Sequence, residues 1–291
     1  MNFGSVITAM VTPFKDDGKV NYEKAQELAA FLMENGSDSI IVTGTTGEAS
    51  TLSWQEKVGL YKAVKEAVGN NGFVIANTGD NETATSVLLT KEAEKIGVDG
   101  VLAVVPYYNK PPQEGMFRHF KEIAECTELP VMLYNVPSRT SSNLLPETVE
   151  RLAHIKNINS IKESSGSMNQ VSELRERLPE FTVYSGDDSL TLPMLSLGCS
   201  GVVSVASHLV GKEIKSMVER FLSNDYQGAL AIHLHLLKLF KILFVTTNPI
   251  PVKTALNQQG WELGGFRLPL VSPSPQEEKL INNVMVEYGL K

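Results

Sequence analysis

The chain has little with which to cross-link itself or to hold a metal. Its 291 residues include only two cysteines. Cys126 and Cys199 stand far apart in no metal-type spacing, so they read as small buried hydrophobes in a reducing compartment. The histidines His119, His154, His208, His233 and His235 show no ligand spacing. His233 and His235 are two residues apart and would face different ways on a helix. H-E-x-x-H, Walker and G-x-S-x-G sequences are all missing, which argues against zincin, P-loop and serine-hydrolase chemistry. Positive charge is also in deficit: 26 Lys and Arg face 33 Asp and Glu, a net charge of −7. That balance argues against a broad nucleic-acid surface, and an anionic substrate would have to be held by local positive groups. No apolar run is long enough for a membrane span. Met1-Asn2-Phe3-Gly4 leads straight into the apolar run from Val6 to Val11, so the start reads as free of a signal peptide, and a cytoplasmic location is expected.

Enough apolar residues are present, at 42% of the chain, to build a large core. They fall in short runs: Ser5 to Thr12, Ser39 to Thr43, Phe73 to Thr78, Gly100 to Pro106, Pro130 to Val136, Ile158 to Glu163, Phe181 to Ser185 and Gly201 to Ala206. Little alternation within these runs predicts parallel strands covered on both faces. Between them lie helical patterns with start signals. Ser53-Trp54-Gln55-Glu56 and Ser167-Met168-Asn169-Gln170 both fit a capping box, and Pro146 fits the first position of a helix. Ala25, Leu28, Ala29 and Leu32 have helical spacing. About eight strand–helix units in succession predict an α/β fold of the TIM (β/α)8 barrel type. A doubly wound open sheet is the alternative, but Thr12-Pro13-Phe14 lacks a Gly-rich first turn. After about residue 223 the alternation stops, and Tyr226 to Thr246, Pro251 to Gln259 and Gln276 to Leu290 read as helices. The expected organisation is therefore a barrel over 1–223 and a C-terminal helical extension over 224–291.

In such a barrel the active site lies at the C-terminal ends of the strands. Those ends carry Thr43-Gly44-Thr45-Thr46-Gly47-Glu48, Pro106-Tyr107-Tyr108-Asn109, Leu133-Tyr134-Asn135-Val136-Pro137-Ser138-Arg139, Lys162, Ser185-Gly186-Asp187-Asp188 and Val202-Val203-Ser204. A lysine at a buried strand end is costly while charged, and a neutral amine attacks carbonyls to form a Schiff base. Tyr134, with a relaying hydroxyl such as Thr45, supplies the proton shuttle that imine chemistry needs. The Gly-flanked hydroxyls and N–H groups of Thr45-Thr46 suit a 2-oxo-acid carboxylate. The planar fork of Arg139 suits a second carboxylate. Asp187-Asp188, where barrels often bind phosphate, points away from sugar phosphates. For each piece alone the plain alternatives are ordinary: a strand-end lysine reaching solvent, a common turn, loop packing, a surface ion pair. Their gathering at one rim favours chemistry.

These motifs resemble the dihydrodipicolinate synthase family, within the pyruvate-dependent class I aldolase superfamily that includes N-acetylneuraminate lyase. The likeness runs from Thr8-Ala9-Met10-Val11-Thr12-Pro13-Phe14 to Arg267-Leu268-Pro269-Leu270. The resemblance implies a lyase that condenses pyruvate with L-aspartate 4-semialdehyde, without metal or organic cofactor, as a homotetramer or at least a dimer. It implies that Lys162 carries the pyruvate imine and that Tyr134, Thr45 and Tyr108 form the proton relay, Tyr108 reaching into a neighbouring subunit. It further implies that Thr46 holds the pyruvate carboxylate, that Arg139 clamps the semialdehyde carboxylate, and that Gly186 and Val203 offer backbone carbonyls. A related sialic acid or sugar-acid lyase, and a barrel that binds carboxylates without turnover, are the alternatives. Arg139 and Tyr107-Tyr108 argue against the first, and the Lys162–Tyr134–Thr45 set against the second. Departures from the family pattern are Ala49-Ser50 after Glu48, and Asn77 in Ala76-Asn77-Thr78-Gly79, where a glycine is usual. Lys57 and Thr85 stand where lysine-inhibited relatives carry a histidine and a glutamate, although Ser50, Asn81 and Tyr107 remain compatible with that effector cleft. Weak or absent feedback by L-lysine is expected.

Overall fold

The strand-forming runs become eight parallel strands closed into a barrel in sequence order, with β8 returning to β1. The computed structural model describes residues 3–291, and the reading of the start as free of a signal peptide lies in part on Met1 and Asn2, outside the described residues. The strands are β1 (Val6–Ala9), β2 (Ser39–Val42), β3 (Phe73–Asn77), β4 (Gly100–Val104), β5 (Val131–Asn135), β6 (Ile158–Glu163), β7 (Thr182–Ser185) and β8 (Gly201–Ser204). The helices between and after them are α1 (Tyr22–Glu34), α2 (Trp54–Val68), α3 (Thr83–Ile96), α4 (Gln113–Glu125), α5 (Pro137–Thr140), α6 (Pro146–Ala153), α7 (Met168–Arg177), α8 (Thr191–Ser196) and α9 (Ser207–Leu222). Three more, α10 (Tyr226–Ile242), α11 (Ile250–Gln258) and α12 (Pro275–Glu287), form the C-terminal extension.

Two apolar layers explain why the runs show so little alternation. Ile40, Val42, Val74, Ala76, Val101 and Ala103 pack outward against helix residues such as Leu28, Leu60 and Phe120. Ile41, Ile75, Leu102, Met132, Tyr134, Tyr184 and Val203 fill the barrel interior. Successive strand residues alternate between these layers, and both layers are apolar.

Several strands are shorter than the apolar runs predict, and beyond the ends of two of them side chains take the backbone donors. β1 stops at Ala9, and the Val11 N–H donates to His208 Nε2 at 3.2 Å. β8 stops at Ser204, and the Val205 and Ala206 N–H groups donate to the buried Asp188 carboxylate at 3.1 and 3.0 Å. Ser53 and Glu56 form the expected capping box of α2. At α7 the expected box is only half made. Ser167 Oγ accepts from the Gln170 N–H, but the Gln170 side chain turns to Asn143, Leu144 and Glu163. The polar network around buried Glu163 competes more strongly for that amide. Of the two cysteines, Cys199 is buried as expected, whereas Cys126 is only half-buried; both are free thiols.

The boundary at 223/224 falls in the turn between α9 and α10. Ala229, Leu236, Phe240, Val252, Leu256 and Val284 of the extension belong to the same apolar cluster as the outer face of the barrel. The core thus runs across that boundary without a break.

His208 is fully buried between two fixed partners: its Nε2 accepts from Val11, and its Nδ1–H donates to the Val205 carbonyl at 2.8 Å. Burial pushes it down to about 4. The folded state therefore resists a proton that the unfolded chain accepts below about 6.5, and stability should fall as pH drops from about 6.5 to about 4. His119, also pushed to about 4 by burial, acts in the same sense. Urea unfolding measured across this window should show the decline, and His208→Gln should flatten it by close to one proton. An unchanged slope in that variant would contradict the assignment.

Candidate active site

Lys162 lies at the end of β6 with 7% of its surface exposed, and its in-register neighbour on β5 is Tyr134, 6% exposed. Register neighbours in a parallel pair face the same side, so both point into the barrel, while Ile161 packs outward. The Lys162 Nζ sits 4.3 Å from the centre of the Tyr134 ring. Gly186, just after β7, closes the other side. A Cβ there would lie 1.8 Å from Ser164 Oγ and 3.0 Å from Lys162 Cε, so a glycine lets the backbone approach the lysine stem. Val203 belongs to the same interior cluster as Tyr134.

Above this floor opens a cavity of about 560 Å³ lined by Thr45, Asn77, Asp80, Tyr107, Tyr134 and Arg139, among others. Lys162, Thr46, Gly186 and Val203 are not among the residues that line it. Thr46 is buried, and its Oγ1 accepts from Asn248 Nδ2 at 3.0 Å. Arg139, on the short α5, donates through Nη2 to the Asn248 carbonyl at 3.3 Å. The Asn77 side-chain amide donates to the Thr43 carbonyl at 3.0 Å, while the Asn77 backbone carbonyl accepts from the buried Tyr61 hydroxyl at 2.6 Å. The departure from glycine at this position therefore adds a fixed polar wall to the cavity.

Tyr108 stands apart from the other predicted site residues. It is 89% exposed and adopts φ of 74°, a left-handed conformation unusual for a tyrosine. Its neighbour Tyr107 lines the cavity and donates to Asp80 Oδ2 at 3.4 Å; burial, followed by the Asp80 charge, raises its phenol. Lys57 also lines the cavity, with its amine held below the usual lysine range by burial. Thr85 hydrogen-bonds to the Glu82 carboxylate, so losing a glutamate at position 85 does not empty that region of negative charge.

Within the Asp187-Asp188 pair, the second carboxylate is engaged by the barrel itself. Asp188 is buried, accepts from Ser204 Oγ at 2.5 Å, and occupies the N–H groups that open the segment after β8. The N–H groups just after β8, at the end where barrels often bind phosphate, are therefore already taken. Asn248, Asp80 and Glu163 were not picked out by motif. Asn248 contacts Thr46 across 202 residues of sequence, and its only local mark is the irregular stretch Asn248-Pro249-Ile250-Pro251.

A closed parallel barrel with a lysine and a tyrosine at adjacent strand ends defines the class: a Schiff-base-forming lyase of the class I aldolase type. Residues 2–287 match the model of the dihydrodipicolinate synthetase family, and the chain belongs to that family. It is 58% identical over 287 residues to the 4-hydroxy-tetrahydrodipicolinate synthase of Desulforamulus reducens, covering 98% of this chain and 97% of that one. The synthase of Cyanidioschyzon merolae, crystallised with lysine bound, superposes with a TM-score of 0.98 at 49% identity over 99% of both chains. The chloride-inhibited enzyme of Acinetobacter baumannii complexed with pyruvate gives 0.97 at 38% identity over 100% of both.

The crowding at Gly186 yields a direct test. Gly186→Ala should displace Lys162 and Ser164 and weaken pyruvate imine formation roughly 5- to 150-fold, the range for about 1–3 kcal/mol of overpacking. Adding Ser164→Gly should recover part of the loss. Full imine formation in the single variant, measured by borohydride trapping, would contradict this packing.

Proposed function

We propose that the chain condenses pyruvate with L-aspartate 4-semialdehyde to give 4-hydroxy-tetrahydrodipicolinate, with Lys162 as the imine-forming amine. The observation that carries this reading is the Lys162 Nζ set 4.3 Å over the ring of Tyr134, which itself lines a cavity with Thr45 and Arg139. The amine adds to the pyruvate ketone, and loss of water gives the imine. Tyr134 and Thr45 pass the protons this requires. Loss of a C3 proton gives an enamine, which forms a carbon–carbon bond to the semialdehyde aldehyde carbon, whose oxygen takes up a proton. The semialdehyde amine then attacks the imine carbon, closing the ring and releasing Lys162. Thr46 serves the pyruvate carboxylate, Gly186 and Val203 supply backbone carbonyls, and Arg139 holds the semialdehyde carboxylate. The scheme calls on no metal or organic cofactor.

In this reading Tyr108 completes the relay from a neighbouring subunit of a homo-oligomer, a tetramer or at least a dimer. Its exposure and strained backbone support a side chain presented outward. No helix among the described residues is long and apolar enough to cross a membrane, and a cytoplasmic biosynthetic role fits the reading.

Lys162→Ala should abolish turnover while the protein stays folded by circular dichroism. Turnover with aspartate semialdehyde should far exceed any with N-acetylneuraminate; the reverse preference would refute the substrate assignment. Arg139→Ala should spare imine formation and weaken use of the semialdehyde roughly 30- to 150-fold, for about 2–3 kcal/mol of charge-assisted contact. Wild-type handling of the semialdehyde by that variant would remove Arg139 from the site. Mixing Tyr108→Phe with Lys162→Ala subunits should restore part of the activity, and an active monomer seen by sedimentation would exclude the shared relay. L-lysine should inhibit only weakly at subsaturating pyruvate, because Lys57 places a cation in the cleft. Strong inhibition below millimolar lysine would overturn that.

A further inference from the structure

The turn that presents Thr45 and Thr46 is gripped mainly by residues remote from it in sequence. Thr12 Oγ1 donates to the Gly47 carbonyl at 2.6 Å. Asn248 donates to Thr46 Oγ1 at 3.0 Å. Lys253 Nζ donates to Glu48 Oε1 at 3.0 Å, and the Arg267 backbone N–H donates to Glu48 Oε2 at 3.2 Å. All but the first come from the C-terminal extension.

The Glu48–Lys253 pair is unusual in its burial, since both side chains have no exposed surface. Lys253 Nζ lies 4.2 Å from the centre of the Phe14 ring and 5.2 Å from that of Phe266. Arg267 stands 4.5 Å from the Phe14 ring centre and pairs with Glu56, closing the region from solvent. Burial brings the Lys253 amine down to about 8. A pair taken this far out of water is a poor source of stability, because desolvation offsets much of the attraction. Its directional contacts can instead fix a geometry. The backbone here requires such fixing, as Glu48 adopts φ of 55°, a left-handed conformation uncommon for a residue with a long side chain.

We propose that the Glu48–Lys253 pair is a positioning device, through which the C-terminal extension fixes the Gly44–Glu48 turn so that Thr45 and Thr46 face the imine site. Neither residue lines the cavity. The proposal rests on the reading that Thr45 and Thr46 serve pyruvate. Borohydride trapping of the wild type with pyruvate, run in parallel, tests the underlying imine chemistry separately. The pair also gives the extension a role in catalysis that its helices alone do not suggest.

The test replaces both charges at once, because removing only one strands the other in the interior. The double variant Glu48→Gln with Lys253→Met keeps the volume close to that of the wild type. We expect it to fold with a melting temperature near that of the wild type but with the KM for pyruvate raised about tenfold or more. The KM for the semialdehyde should change less than threefold, because Arg139 is held by the Asn248 backbone carbonyl. Glu48→Asp provides a second route. It keeps both charges but draws the carboxylate back by one methylene, and should raise the pyruvate KM severalfold. A purely structural pair would lower the melting temperature and leave the pyruvate KM of the folded enzyme unchanged, which would overturn the proposal. Failure of both variants to fold would overturn it as well, by making the pair an element of folding.

Discussion

The molecule depends on one constraint: a closed parallel barrel in which every other strand residue must face a crowded interior. Closure leaves no sheet edge, so the register of each strand is fixed by its two neighbours. That register sets Lys162 beside Tyr134 on β5 and beside Tyr184 on β7, and turns Glu163 toward the outer layer. A slip of one residue would exchange the lysine for the glutamate inside the barrel. The amine is thus placed by the same alternation that packs Ile41, Ile75 and Leu102.

Around this floor the polar groups are held by contacts distant in sequence. Asn248 joins Thr46 to Arg139, one through its side chain and the other through its backbone. Asp188 takes the two N–H groups just after β8, at the end where barrels often bind phosphate. Glu163, on the outer side of Lys162, gathers Asn135, Ser165 and Gln170, and burial raises its carboxyl above the usual range. The strand that carries the amine is therefore tied on both faces, by apolar packing within and by hydrogen bonds without. In the same way, the helical extension is joined to the catalytic end of the barrel both by a continuous apolar core and by the Lys253–Glu48 contact.

The barrel was legible in the sequence because its signals are local. Apolar runs mark β1 to β8, and Ser53, Pro146 and the Ala25–Leu32 stripe mark helix starts and faces. Lys162, Tyr134, Thr45 and Arg139 could be picked out because each follows or ends such a run. Strand ends were less legible, since His208 and Asp188 capture backbone donors from 197 and 17 residues away. The half-made cap at Ser167 was lost for a similar reason, as Gln170 has better partners in three dimensions. Asn248 and Lys253 left almost no trace. A single lysine among Val252, Thr254 and Ala255 looks like a helix surface until the fold brings Glu48 to it.

We propose that the amine of Lys162, and no other, takes up pyruvate. The most direct measurement is borohydride reduction of the enzyme with pyruvate, followed by proteolysis and mass mapping of the modified peptide. The account predicts a single pyruvate-derived mass on the peptide that contains Lys162, and none in Lys162→Ala. A label on Lys57, Lys253 or any other lysine, or a labelled Lys162→Ala protein, would contradict it.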